Sequence, residues 1–219
     1  MSTRVALVRH GATTLSAEDR FAGATDVELS EAGRAQAQAL AERLAGEPIS
    51  AVYASPLRRT VATASILSAP HGLTPQLADG LREIDHGHWE TSTRAEVEAR
   101  FPGEYAAWEA DPFVFAPPGG ESGVSVMARA LPVLREIVLA HGGGYVLVVS
   151  HKATIRLLLC ALLGIDARGY RDRLDQAPAC LNVLEFKDAV RARLMLYNDV
   201  SHYAEAPRRP GAQLSKWWA

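Results

Sequence analysis

Arg4-Val5-Ala6-Leu7-Val8-Arg9-His10-Gly11 joins an apolar run near the start of the chain to two basic side chains and a glycine. The residues from Arg4 to Val8 are typical of a short buried strand. Arg9 and His10 follow at its carboxyl end, which is where open α/β sheets bind their ligands. Gly11 is expected where a ligand or a tight turn approaches the backbone. Taken alone, the stretch suits a ligand site and a strand that simply ends in polar residues about equally.

Strand and helix patterns alternate along most of the remaining sequence. Further strands are predicted at 51–54, 74–77, 145–149, 180–186 and 191–196. Helices are predicted at 30–45, after 55–60 to about 67, and at 94–101, 105–109, 121–140 and 153–163. This alternation predicts an α/β protein with a mainly parallel sheet. A polar loop over 12–29 separates the first strand from the first helix, and loops of that length are usually functional.

Composition narrows the classes of function. The chain has 219 residues, 48% of them hydrophobic, and a formal net charge of -2. A general nucleic-acid binder usually carries a basic stripe instead, and no apolar run reaches the ~20 residues of a membrane span. Cys160 and Cys180 are too few for a disulfide framework, and no signal-peptide pattern precedes the first strand. We therefore expect reduced, buried thiols in a cytoplasmic protein, with one domain over 1–219 and an inserted cap segment at about 90–120.

Four segments repeat the pattern of the first strand end. Arg9-His10, Arg59, Glu83 and His151 each follow a predicted strand or lie in a polar loop. In a doubly wound sheet the carboxyl ends of neighbouring strands meet at one crevice. Two arginines, two histidines and one carboxyl group are therefore expected to lie together.

This set of side chains suits a phosphoryl group. A phosphomonoester is mostly dianionic near neutral pH, and the guanidinium groups of Arg9 and Arg59 offer it planar forks of donors. The same cations would lower the pKa of His10, whose neutral imidazole is then a nucleophile toward phosphorus. His151 can donate hydrogen bonds to the phosphoryl oxygens, and Glu83 can protonate the leaving oxygen. No metal or other cofactor is needed, because the arginines supply the positive charge.

Five motifs extend this arrangement over nearly the whole chain. They are Arg9-His10-Gly11, Ser55-Pro56-Leu57-Arg58-Arg59-Thr60, Leu81-Arg82-Glu83 with Gly87 and Trp89-Glu90, Gly119-Gly120-Glu121-Ser122, and Ser150-His151. In this order they resemble the histidine phosphatase superfamily, the group of acid phosphatases and cofactor-dependent phosphoglycerate mutases. With that resemblance we expect a three-layer sandwich with helices on both faces of the sheet and a small helical insertion over the active site.

The resemblance also implies a role for each matching position. His10 would carry the phosphoryl group in a phosphohistidine intermediate. Arg9, Arg59 and His151 would hold the phosphate. Glu83 would act as the acid when the phosphoenzyme forms and as the base for the attacking water.

Further candidates lie at the rim of the expected pocket. Arg20 matches a residue near the pocket mouth of many relatives. Ser16 stands where relatives often carry an asparagine that contacts phosphate, and a hydroxyl can still donate there. Lys152 replaces the usual glycine after the second histidine; it either adds positive potential at the pocket or points away along the helix start, and we favour the second. His86 and His88 lack a third metal ligand nearby in sequence, so no metal site is predicted. His86 is a candidate rim contact, although solvent exposure is favoured over that role.

Hydrolysis of a phosphomonoester is the predicted function, and phosphoglycerate mutase-type transfer is the alternative. The segment from Glu90 to Asp111 holds six acidic residues against Arg94 and Arg100, an excess that would repel a multiply anionic substrate if the segment lines the mouth. The pattern Glu-Ile-Asp-x-Gly-x-Trp-Glu also resembles the alpha-ribazole phosphatase and broad-specificity branch. A catalytically silent binding or scaffold protein is least favoured, because both histidines, both arginines and the glutamate are retained.

The expected partner is a small phosphorylated metabolite. Neither nucleic acid nor a membrane is expected, and a homodimer is left open. The chain ends in Trp217-Trp218, for which a docked apolar tail is the default expectation.

Overall fold

A six-stranded sheet forms the centre of the computed structural model, which describes residues 2–17 and 20–203, with no side chain described for Ser16 or Ala17. The strands are β1 Thr3–Arg9, β2 Ile49–Ala54, β3 Gln76–Leu77, β4 Tyr145–Ser150, β5 Leu181–Phe186 and β6 Ala192–Asp199. Their order in the sheet is β3-β2-β4-β1-β5-β6. β3, β2, β4 and β1 are mutually parallel, whereas β5 is antiparallel to β1 and β6 to β5. The predicted mainly parallel sheet is confirmed.

Helices connect the strands, and their ends follow the local sequence. The α-helices of the described residues are α1 Thr14–Ala17, α2 Glu31–Leu44, α3 Arg58–Ser68, α4 Arg94–Arg100, α5 Pro102–Ala110, α6 Gly123–Ala140, α7 Lys152–Leu163 and α8 Tyr170–Arg173. Short 3-10 helices lie at Ala69–His71, Asp79–Leu81, Gly87–Trp89 and Ala167–Gly169. The Ser30 hydroxyl accepts from the Gly33 N–H at 3.1 Å and so caps α2 as predicted. Gly164 ends α7 with a φ of 67°.

The strands carry apolar side chains on both faces, because helices cover the sheet from both sides. On one face Val5, Leu7, Val146 and Val148 pack against buried residues of α6 and α7. On the other face Ala6 and Val8 of the same strand pack, with residues of β2 and β4, against α2 and α3. Alternate residues of each central strand thus enter opposite cores, which gives the expected three layers.

Strand register brings the three parallel strand ends to one edge. Arg9 at the end of β1 lies opposite Ser150 at the end of β4. Ala54 at the end of β2 lies opposite Val149, one residue earlier on β4. Arg9-His10, Ser150-His151 and the start of α3 therefore lie side by side, as the strand-end pattern predicted.

A small helical insertion lies beside this edge. α4 and α5 form an aromatic cluster with the loop after β1, in which Phe21, Trp89, Val97 and Trp108 are buried. Phe21 lies 5.4 Å from both tryptophan rings, measured between ring centroids. This cluster fixes the loop after β1 against the insertion.

The structure differs from the sequence predictions in local detail. The third strand is only two residues long, Gln76–Leu77, and α8 was not predicted. Gly11 is needed for backbone contact within the protein: a Cβ there would lie 2.4 Å from the carbonyl oxygen of Gly33 in α2. Cys160 and Cys180 are buried and free, as expected.

No helix in the part of the chain that the structure describes is long and apolar enough to span a membrane. The expectation for Trp217-Trp218 falls outside the described residues.

Candidate active site

The predicted site residues meet at a cavity beside the carboxyl ends of β1, β4 and β2. Its volume is about 910 Å³, open solvent at the mouth included. The sequence-predicted residues that line it are Arg9, His10, Arg20, Arg59, Glu83, His86 and Lys152. The fully buried His151 does not line it; its ring lies 5.2 Å from that of His10, centroid to centroid.

His10 is held as a neutral imidazole of defined tautomer. Its Nδ1 lies 2.7 Å from the carbonyl oxygen of Gly11, and because a carbonyl only accepts, Nδ1 carries the proton. The opposite nitrogen, Nε2, then keeps its lone pair. Burial, together with the nearby charges of Arg59 and Arg9, holds the pKa of His10 well below its ordinary value near 6.5. The sequence predicted the effect of the arginines, but burial is the larger cause.

Arg9 is positioned by buried polar residues on the loop before β5 and on β5 itself. Its Nη1 donates to the Gln176 carbonyl oxygen at 2.6 Å. The Gln176 side chain in turn binds Asn182, whose Nδ2 donates to the Leu7 carbonyl oxygen at 3.0 Å. Gln176 and Asn182 are fully buried, so this network fixes the guanidinium rigidly beside His10.

Arg59 is clamped by the backbone of the loop over 22–25. Nη1 donates to the Thr25 carbonyl oxygen at 2.8 Å and Nη2 to that of Gly23 at 2.7 Å. The Glu90 carboxylate organises this loop by accepting the N–H groups of Gly23, Ala24 and Thr25 at 2.9–3.1 Å. Although burial alone opposes its ionisation, hydrogen bonds from Thr25 and His86 hold the pKa of Glu90 below its ordinary value.

His151 lies between Arg59 and Ser55. Arg59 Nε donates to His151 Nδ1 at 3.2 Å, so Nδ1 is unprotonated. Nε2 carries the proton and donates to the Ser55 hydroxyl at 2.8 Å. Burial, Arg59 and His10 hold the pKa of His151 well below its ordinary value. In this arrangement His151 orients Arg59, and its own donor is directed away from the cavity.

The Glu83 carboxylate lies at the N-terminus of α7. Oε2 accepts from the Ala153 N–H at 3.1 Å. Oε1 accepts from the N–H groups of Ile84 and Thr154 at 3.0 and 3.1 Å, while the Thr154 hydroxyl donates to the Arg82 carbonyl oxygen at 2.7 Å. The first turn of the helix that follows His151 therefore fixes this carboxyl group at the cavity wall.

The rim candidates have different positions. Arg20 lines the cavity and donates to the Thr91 carbonyl oxygen at 2.8 Å. His86 lines it too, with its ring tilted 59° to that of Phe21 at 4.8 Å, centroid to centroid, and burial lowers its pKa. Lys152 also lines the cavity, which favours the alternative that it adds positive potential there. The side chain of Ser16 lies outside the described part of the structure.

The insertion does not give the acidic mouth that the sequence suggested. Of the described residues of the insertion, Arg94 and Trp108 line the cavity. Of its carboxylates, Glu90 binds the 23–25 loop and Glu104 accepts from Trp89 Nε1 at 3.0 Å. The expected repulsion of multiply anionic substrates therefore has no basis in the described residues.

Sequence reasoning missed three functional neighbours. Ser55 and Glu90 were quoted within motifs but given no role, and only the folded contacts show that they act on His151 and on the Arg59 loop. Arg156 lines the cavity from α7, one turn after Lys152. Its i, i+4 spacing from Lys152 was the available signal, because both side chains share one helix face. Among the described residues no group of three or more His, Cys, Asp or Glu side chains could hold a metal ion.

The sequence matches one family model and several phosphatases of known name. The model of the histidine phosphatase superfamily (branch 1) matches residues 5–200. Phosphoserine phosphatase 1 of Hydrogenobacter thermophilus is 37% identical over 163 residues, which are 74% of this chain and 77% of that protein. Glucosyl-3-phosphoglycerate phosphatase of Mycobacterium tuberculosis is 39% identical over 175 residues, which are 76% and 78% of the two chains.

Solved structures show the same architecture. The native structure of a mycobacterial glucosyl-3-phosphoglycerate phosphatase superposes with a TM-score of 0.82 and 34% identity, covering 90% of this chain and 99% of that one. The crystal structure of a putative alpha-ribazole-5'-P phosphatase from Escherichia coli gives a TM-score of 0.83 at 25% identity, covering 90% and 97%.

Proposed function

The chain belongs to the histidine phosphatase superfamily and is a phosphoric monoester hydrolase, and on this basis we propose that it acts through a phosphohistidine on His10. The observation that carries the proposal is the neutral His10 ring, whose Nδ1 is bound to Gly11 and whose Nε2 lone pair is left for the cavity between Arg9 and Arg59. The substrate is a small phosphorylated metabolite, and no metal takes part.

In the first step His10 Nε2 attacks phosphorus, and the bond from phosphorus to the ester oxygen breaks. The Nδ1–H bond to the Gly11 carbonyl stabilises the positive charge that the ring gains. Glu83 gives its proton to the leaving oxygen, so that an alcohol departs. Oε2 is the better site for that proton, because Oε1 accepts two backbone N–H groups and Oε2 only one.

In the second step water attacks the phosphohistidine. The Glu83 carboxylate takes a proton from the water, the phosphorus–nitrogen bond breaks, and inorganic phosphate leaves. His10 returns to its neutral form and Glu83 is again protonated. Arg9 and Arg59 hold the phosphoryl oxygens throughout, since their guanidinium groups are fixed beside His10 before substrate arrives.

We assign His151 to the same phosphate site, on the condition that its Nδ1 becomes protonated when phosphate binds. A bound phosphate dianion would raise the pKa of His151. Protonation at Nδ1 would break the contact with Arg59 Nε, and the ring must then shift for that N–H to reach a phosphoryl oxygen, while Nε2–H keeps its bond to Ser55. Arg20, His86 and Lys152 then form the substrate rim.

The activity assay uses p-nitrophenyl phosphate with a chelator and no added metal. Turnover under these conditions supports the proposed hydrolase. A protein that neither hydrolyses any phosphoester nor becomes phosphorylated would be a binding or scaffold protein. Interconversion of 3-phosphoglycerate and 2-phosphoglycerate with 2,3-bisphosphoglycerate, without net phosphate release, would identify a mutase.

We also propose that residues 1–219 form a single domain in which the segment at about 90–120 acts as a cap. The aromatic cluster that ties α4 and α5 to the loop after β1 supports a cap fixed at the cavity wall. The free cysteines support a compartment in which thiols stay reduced, such as the cytoplasm.

Glu90→Gln is expected to lower kcat/KM by about 10- to 100-fold, because small displacements of a positioning group cost rates of this order. The substitution weakens the carboxylate that orders the 23–25 loop, and that loop clamps Arg59. Inhibition by vanadate should weaken in parallel, because vanadate uses the same guanidinium. The matched control is Glu98→Gln, an exposed position on α4. A Glu90→Gln enzyme with unchanged vanadate affinity would contradict this positioning role.

Because burial and the neighbouring arginines lower the pKa of both rings, His10 and His151 are expected to stay neutral as the pH falls through 6.5, near which a free histidine titrates. Nitrogen-15 NMR of the labelled protein should show His10 protonated at Nδ1 and His151 at Nε2. Because the unfolded chain binds protons on both rings below about pH 6.5 and the folded protein does not, stability should fall as pH drops through that range. Titration of either ring near 6.5 would contradict the described environment.

A further inference from the structure

One sequence motif takes no part in the proposed steps, although it packs directly against the segment that carries Glu83. None of the residues in Gly119-Gly120-Glu121-Ser122 is among the described residues that line the catalytic cavity. A Cβ on Gly120 would lie 2.6 Å from the Asp85 carbonyl oxygen, and a Cβ on Gly87 would lie 2.6 Å from the Gly120 nitrogen. Glycine at both positions therefore lets the motif and the segment after Glu83 pack backbone against backbone.

Glu83 lies on an irregular segment, 82–86, between two short 3-10 helices. Such a segment lacks the regular hydrogen bonds of a helix or a strand, so side chains must help to fix its backbone. Arg129 on α6 does so. Its Nη1 donates to the Gly80 and Arg82 carbonyl oxygens at 2.9 and 2.8 Å, and its Nη2 donates to that of Glu83 at 2.9 Å. One side chain thus holds three carbonyl groups within four residues.

Glu121 links Arg129 to the chain on the other side of Glu83. Arg129 Nε and Nη2 donate to the two carboxylate oxygens of Glu121 at 2.8 and 2.7 Å, which makes a bidentate ion pair. Glu121 Oε2 also accepts from the Asp85 N–H at 3.1 Å, and the Glu121 N–H donates to the Asp85 carbonyl oxygen at 2.8 Å. Although burial alone opposes its ionisation, the hydrogen bond and the charge of Arg129 hold the pKa of Glu121 below its ordinary value. The ion pair is therefore charged at neutral pH and holds the backbone on both sides of Glu83.

We propose that Arg129 and Glu121 are positioning residues that hold Glu83 in place for proton transfer to the leaving oxygen. This inference rests on the proposed phosphatase function. Glu83 lines the catalytic cavity, whereas Arg129 and Glu121 are not among its described lining residues, so their effect on the reaction passes through Glu83. The first turn of α7 binds the Glu83 carboxylate, and the ion pair fixes the backbone from which that side chain extends. A shift of this backbone would move the acid out of hydrogen-bond reach of the ester oxygen.

Arg129→Lys tests the proposal, because it keeps the positive charge but loses the planar fork of donors. For an alkyl phosphate, whose leaving oxygen needs a proton, kcat/KM should fall by about 10- to 100-fold. For p-nitrophenyl phosphate, whose leaving group departs without a proton, kcat/KM should fall by less than about 3-fold. A merely structural role would lower both values alike, so the ratio of the two losses is the readout.

Glu121→Gln removes the charge of the partner but keeps an oxygen for the Asp85 N–H, and it should show the same selective loss. In the double variant the loss for the alkyl phosphate should be about that of the larger single loss, because the two side chains act as one unit. Losses that multiply in the double variant would overturn that coupling. The matched control is Arg135→Lys, a half-buried arginine of the same helix that is not among the described lining residues, and it should leave both values unchanged.

Equal losses on both substrates in a folded Arg129→Lys enzyme, or no loss on either, would overturn the proposal. Should that variant fail to fold, Glu121→Gln decides by the same ratio. Glu83→Gln, assayed in parallel, separates this inference from the proposed function. A Glu83→Gln enzyme that loses both activities equally overturns the acid role and this proposal with it, whereas a selective loss in Glu83→Gln beside equal losses in Arg129→Lys overturns the positioning role alone.

Discussion

His10→Ala is expected to lower the phosphatase kcat by at least about 10,000-fold, the scale seen when a covalent nucleophile is removed. The second imidazole of the site is not placed to replace it, because His151 is fully buried and its Nε2 donates to Ser55. The loss should be the same for every phosphoester, because each one needs the same nitrogen. Steady-state assays with p-nitrophenyl phosphate and with an alkyl phosphate measure it.

The matched control is His71→Ala, which removes an imidazole from the short helix at Ala69–His71, outside the cavity. That variant should keep full activity. Circular dichroism establishes that the His10 variant is folded. A folded His10→Ala enzyme with activity within about 10-fold of wild type would mean that another group attacks phosphorus.

The loss of kcat/KM in Glu83→Gln is expected to depend on the leaving group of the substrate. For an alkyl phosphate, whose poor leaving group needs a proton, kcat/KM should fall by about 100- to 10,000-fold. For p-nitrophenyl phosphate, whose leaving group departs as a stable anion, kcat/KM should fall by less than about 10-fold. The phosphoenzyme should accumulate with the second substrate, because the base that activates water is missing.

An exposed glutamate on α6 provides the control, and Glu136→Gln should change neither substrate. Equal losses on both substrates would remove the acid role from Glu83. The result would then fit a purely structural part for the carboxylate, which binds the N-terminus of α7.

The fold could be predicted from the sequence because its signals are local. The periodicity of apolar residues located the central strands and the long helices. Ser30 caps the start of α2 with its hydroxyl, and Gly164 ends α7 with a positive φ. The polar residues after β1, β2 and β4 converge because parallel strands share a carboxyl edge. α8 was missed because its four residues form a single helical turn, too short for apolar residues to recur at helical spacing.

The fine structure of the site depends on contacts between distant segments, which one sequence does not contain. Glu90 reaches Arg59 only through the loop over 22–25, and Ser55 meets His151 across two strand ends. Whether Lys152 lines the cavity depends on how α7 leaves its strand, which the sequence does not show. The acidic composition of the insertion was misleading for the same reason, since a count of charges does not show which of them face the cavity.

Trapping the phosphoenzyme shows directly whether His10 is the group that attacks phosphorus. Wild-type protein is mixed with p-nitrophenyl phosphate, quenched in alkali within milliseconds and digested, and the peptides are analysed by mass spectrometry. We expect one phosphoryl group on the peptide that contains His10. This modification should be stable in alkali, labile in acid and absent from His10→Ala. Turnover with no phosphorylated peptide, or with the label on another residue, would contradict it.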